Sequence, residues 1–136
     1  MKVPKWEGPI QIGKVGTNFL RPSEKPGIYV TSKRGWSSQP NKKAGILYVG
    51  KGGILRWRVG TLVAVLLGFA PEPNSRYLHG KARRIFHKEC SSDIANSAKL
   101  YVGWRVIADG DCVDWREAEL FHQLSPEYYD KVSEVF

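Results

Sequence analysis

Apolar positions recur with helical spacing from Ile54 to Leu67, where Ile54, Arg58, Leu62 and Val65 share one stripe and Arg56 points to the opposite side. The period predicts a helix opening just after Gly52-Gly53. A second helical pattern places Glu117 on one face with Leu120, Phe121 and Leu124, while Glu119 falls with Arg116 and Gln123 on the polar side. Alternation predicts strands from Pro26 to Val30 and from Leu100 to Ala108, the latter with Leu100, Val102, Trp104 and Val106 on one side. Thr31 to Gly45 is polar and basic around Pro40-Asn41, as in a long hairpin loop joining two antiparallel strands. A further helix begins at His79-Gly80-Lys81. Met1 to Lys25 has few periodic apolar positions and several Gly and Pro, which reads as an extended arm (1–25) beside one domain (26–136).

Composition narrows the partners. The chain of 136 residues is one domain by length, with 21 Lys+Arg against 13 Asp+Glu and a formal charge of +8. That excess suits a polyanion, although a basic surface also serves solubility alone. Cys90 and Cys112 lack ligands at zinc spacing and read as ordinary intracellular thiols. The N-terminus lacks the apolar core of a signal peptide, and the most apolar run, Leu62 to Ala70, is too short to span a bilayer, so neither export nor a membrane location is expected. No nucleophile elbow, P-loop or metal-spaced His pair is present.

Four side chains carry candidate chemistry. A guanidinium at Arg58, on an apolar stripe, is costly unless it is paired or faces a cleft, so periodicity singles it out; a buried ion pair or a snorkelling side chain is the bland alternative. Glu117 is the inward carboxylate of its helix, yet Asp114-Trp115-Arg116-Glu117 also has the spacing of a capping box. Tyr29 and Tyr48 are ordinary strand residues on their own, but Gly27 and Gly50 beside them permit close approach of a substrate or another backbone. A carboxylate that holds a divalent cation, a tyrosine that passes a proton and an arginine that neutralises charge on phosphorus together cut a phosphodiester bond.

The ordered set Gly27-Ile28-Tyr29, Tyr48-Val49-Gly50-Lys51, Arg58 ten residues after Tyr48, and Glu117 ahead of Pro126-Glu127-Tyr128 resembles the GIY-YIG endonuclease family. The resemblance runs from about Pro26 to Asp130, with two departures: the motif tyrosines stand nineteen positions apart, and the polar residue expected after the final aromatic is Tyr129, with Asp130 one place later. It implies an α+β fold with a small, mainly antiparallel three-stranded sheet flanked by helices. It also implies a DNA endonuclease using Mg²⁺ (or Mn²⁺) on Glu117, with Tyr29 or Tyr48 as proton acceptor and Arg58 as charge stabiliser. A phenol of reference pKa about 10 needs positive charge beside it to act as a base, and Lys51 directly follows the second motif. Candidate phosphate contacts are Lys51, Arg56, His79, Lys81, Arg83, Arg84, Lys42 and Lys43, each with a solvated-surface alternative and His79 with a helix-cap one. Specificity would then come from inserts, a homodimer or a partner protein. The competing reading is a basic nucleic-acid-binding module that does not cut.

Overall fold

A computed structural model describes residues 4–14, 22–68 and 79–128. The strands are β1 (Glu7–Gln11), β2 (Gly27–Ser32), β3 (Ile46–Gly52) and β4 (Tyr101–Val106), and the helices are α1 (Leu55–Leu66), α2 (Gly80–Arg84), α3 (Ile94–Ser97) and α4 (Val113–Leu124). Among the described residues they form an α+β unit around a four-stranded antiparallel sheet of order β1-β4-β2-β3. The expected sheet had three strands; the fourth comes from the segment read as an arm. Its alternation is hidden because the register with β4 shifts between Glu7 and Ile10. Ile10 and Ile12 enter the core, and Trp104 Nε1 donates to Glu7 Oε2 at 2.7 Å, fastening β1 to β4.

The sheet is covered on both faces because both sets of alternating positions are apolar. On one face Tyr29, Tyr48, Val102 and Trp104 pack with Leu55, Val59, Leu62 and Leu66 of α1 and with Ile85 and Phe86 after α2. On the other, Ile28, Val30, Ile46 and Val49 pack with Trp36, Leu120 and Leu124, so α4 lies opposite α1. Gly27 is required by this packing, since a Cβ there would overlap the Leu55 side chain and the Arg105 carbonyl. The β2–β3 connection is the expected long hairpin, closed by Lys33 N–H donating to Gly45 O at 2.9 Å. Lys33 itself is held by Glu89 and Glu127 at 2.9 and 3.0 Å.

The first long helix differs from expectation at its start. Ile54 precedes α1 in extended conformation and is 36% exposed, so the buried line is Leu55, Val59, Leu62, Val63, Val65 and Leu66, with Arg58 half-buried at its margin. Gly60 faces open space and marks no close packing. No helix among the described residues is long and apolar enough to cross a membrane. Trp104 is fully buried and pins both β1 and the α1 face. Trp104→Ala should therefore lower the unfolding free energy by about 3–5 kcal/mol in urea titrations, with cooperativity retained.

Candidate functional site

Tyr29 and Tyr48 stand on adjacent antiparallel strands, where Tyr29 pairs with Gly50 and Thr31 with Tyr48. Both side chains point to the α1 face, and their ring centroids lie 5.9 Å apart. The absence of a side chain at Gly50 makes this possible: a Cβ there would overlap both rings and the Tyr29 hydroxyl. The rings are buried, at 0% and 1% exposure.

His79 completes the pair. Its ring meets Tyr48 at 5.1 Å and Tyr29 at 6.0 Å between centroids, and its Nε2 lies 2.7 Å from the Tyr29 hydroxyl. The other nitrogen, Nδ1, accepts from the Ala82 backbone N–H at 3.1 Å and caps α2. An Nδ1 that accepts carries no proton, so the neutral ring bears its hydrogen on Nε2 and donates to the Tyr29 oxygen. Burial, then the Arg58 charge and more weakly that of Lys81, push the imidazole down to about 3, so it is neutral at ordinary pH. The expected cap role holds, while direct phosphate contact does not: the ring is fully buried and both nitrogens are engaged. The Ala82 N–H is likewise spent on the cap.

Arg58 lies at the margin of α1, close enough for its charge to act on His79, with its Cβ at the position where a side chain on Gly52 would stand. Among the described residues it pairs with no carboxylate. A buried ion pair within this set is thus not its explanation, and the side chain is half-buried.

Strand alternation sends Lys51 to the opposite face of β3, where it meets α4 rather than the tyrosines. It forms an ion pair with Asp114, and this hydrogen bond, reinforced by the nearby Glu117 and Asp114 carboxylates, raises the ammonium pKa. The expected role of Lys51 as the charge beside Tyr29 is therefore corrected: the group against Tyr29 is the neutral His79 ring, and the nearby positive charge is Arg58, which acts on His79. Glu117 is half-buried on α4 and close to Lys51. Its alternative role in a capping box does not apply, because Cys112 is the cap residue and Asp114 is already inside the helix. Glu119 pairs outward with Arg116 at 3.3 Å.

The remaining candidates are dispersed. Arg56 pairs with Glu24 at 2.8 Å. Lys42 and Lys43 are exposed on the hairpin loop and Arg84 on α2, whereas Lys81 and Arg83 are half-buried there. Tyr128 N–H donates to Leu47 O at 2.8 Å and forms a parallel bridge with Tyr48, so the aromatic after α4 extends the edge of β3. Tyr129 and Asp130 lie outside the described residues. No group of three or more His, Cys, Asp or Glu among the described residues is arranged to hold a metal ion. Glu117 alone fits only an ion such as Mg²⁺ that takes most of its ligands from water and substrate. Comparison with family models, curated proteins and solved structures finds no match to this chain.

The neutral imidazole has a consequence for pH. An unfolded histidine takes up a proton near pH 6.5, which folded His79 refuses until about 3, so stability is complete above the unfolded value and falls as pH is lowered through that window. The slope contributed is at most about 1.4 kcal/mol per pH unit. His79→Asn, which can still cap α2, should flatten the dependence of unfolding free energy on pH over that window relative to the wild type.

Proposed function

We propose that this chain is a divalent-metal-dependent DNA endonuclease whose phosphate-facing group is Arg58. The observation that carries the reading is the state of that guanidinium: half-buried, without a carboxylate among the described residues, and close enough to act on an imidazole that is neutral at ordinary pH and packs against two tyrosines. Such a site holds an oxyanion and offers a phenol for proton transfer. The order of motifs along the chain supplies the second support.

Arg58 binds non-bridging oxygens of the scissile phosphate and stabilises the charge that builds there in the transition state. Tyr29, whose oxygen accepts from His79, is the proton acceptor. Tyr48 packs against both rings and holds the phenol in place. Glu117 is the carboxylate that would hold Mg²⁺, whose contribution is neutralisation of charge on the phosphate. Lys51 stays protonated and orients Asp114 beside Glu117.

One observation favours a second reading, a nucleic-acid-binding module that does not cut. Tyr29 is fully buried, which keeps its hydroxyl away from an attacking water in this arrangement. Single-turnover cleavage of supercoiled plasmid with Mg²⁺ against EDTA separates the two. For the endonuclease, Arg58→Ala should slow cleavage at least about a hundredfold with little change in DNA affinity, and Arg58→Lys should recover little of it. Glu117→Gln should abolish Mg²⁺-dependent cleavage, whereas Glu119→Gln keeps most activity. Equal losses for the two glutamate variants would remove Glu117 from the mechanism. Tyr29→Phe should lose most turnover while costing about 1 kcal/mol of stability; near wild-type cleavage by this variant would remove the phenol from the chemistry.

A further inference from the structure

Trp57, on the first turn of α1, is 72% exposed, although α1 buries Leu55, Val59, Leu62, Val63, Val65 and Leu66 beneath it. Helical spacing sets Trp57 and Thr61 on the outward side, with Ile54 just ahead of the turn and 36% exposed, and with Arg58 the next residue along. The turn is held rather than frayed: Thr61 Oγ1 donates to Trp57 O at 2.8 Å, and Arg56 N–H donates to Ser23 O at 2.9 Å. Beside it, a Cβ on Gly53 would meet nothing within 4 Å among the described residues, which leaves space over the start of the helix.

Trp115, on the first turn of α4, is similarly exposed at 67%, yet both of its neighbours are committed: Asp114 to Lys51, and Arg116 to Asp111 and Glu119. Trp57 adjoins Arg58, which has no carboxylate partner among the described residues. An open indole face next to an available guanidinium, on a chain of formal charge +8, matches a ligand that alternates flat aromatic rings with phosphates. A duplex keeps its base faces stacked inside, so the ring can be met only by an unpaired base.

We propose that Trp57 is a stacking platform for an unpaired base of single-stranded DNA, with the adjoining phosphate on Arg58. This rests on the nucleic-acid reading above and specifies its substrate: DNA with a single-stranded stretch, such as a flap or a gap, at the cutting site. The indole takes no part in proton transfer or charge stabilisation, so its effect is on affinity and strand preference.

The test is binding alone. Fluorescence anisotropy of a labelled oligothymidine of about 16 nucleotides, and of a duplex of equal length, is measured in EDTA so that no cleavage occurs. Trp57→Ala should weaken single-strand binding roughly 5- to 150-fold, the range for loss of one base–aromatic stack, and change duplex affinity less than about twofold. Trp57→Phe should retain most of the affinity, and Trp115→Ala should match the wild type. Circular dichroism of each variant identifies any loss of folding, and Trp57→Phe keeps the question answerable should the alanine variant unfold. An unchanged single-strand affinity in Trp57→Ala, or equal losses for single strand and duplex, overturns the proposal. So does a concentration-dependent dimer that Trp57→Ala abolishes, which would make the patch a contact between copies of the chain. Strong single-strand binding without any Mg²⁺-dependent cleavage would retain the platform and reject the endonuclease. A failure to bind either DNA would reject both.

Discussion

The hydrogen bond between His79 and Tyr29 is the constraint on which the candidate site depends. A buried imidazole must satisfy two nitrogens, and here one accepts from the start of α2 while the other donates to the first motif strand. The same ring therefore fixes where α2 begins, which tautomer it carries and how the Tyr29 oxygen is oriented. Burial and the neighbouring cations keep it uncharged, so the donation persists at pH values well above 3. Gly50 makes room for the tyrosines to meet it.

The edge strand β3 organises the rest. Its alternation presents Tyr48 and Gly50 to α1 and Lys51 to α4. Two chemically different groups consequently share one strand end: the aromatic and imidazole pair with Arg58 on one face, and the Lys51–Asp114 pair with Glu117 on the other. The turn through Gly53 leads from that strand end to the exposed Trp57 at the start of α1.

Helix phase made much of this visible in advance. The 3.6-residue period separated Glu117 from Glu119 and brought out Arg58, because an ionisable side chain on an apolar stripe is a local conflict that a sequence displays. Strand parity also predicts the opposite facing of Tyr48 and Lys51, since positions an odd number apart point apart; adjacency to the motif obscured it. β1 was hidden by its register shift and by Gly8-Pro9, which disrupt alternation. His79 gave no partner signal because the residue that it holds lies fifty positions earlier in the sequence. Nor could Trp57 be recognised, since the helical period assigns an outward direction but says nothing of which neighbours are already ion-paired.

The protonation state of His79 is the most direct test of this account. Long-range ¹H–¹⁵N correlation spectra of the imidazole, recorded between about pH 4.5 and pH 8, report which nitrogen bears hydrogen. The account predicts one unchanging neutral ring throughout, with hydrogen on Nε2 and a lone pair on Nδ1, and loss of the Nε2 hydrogen-bond shift in Tyr29→Phe. An imidazolium appearing near pH 6.5, or a neutral ring protonated on Nδ1, would contradict it.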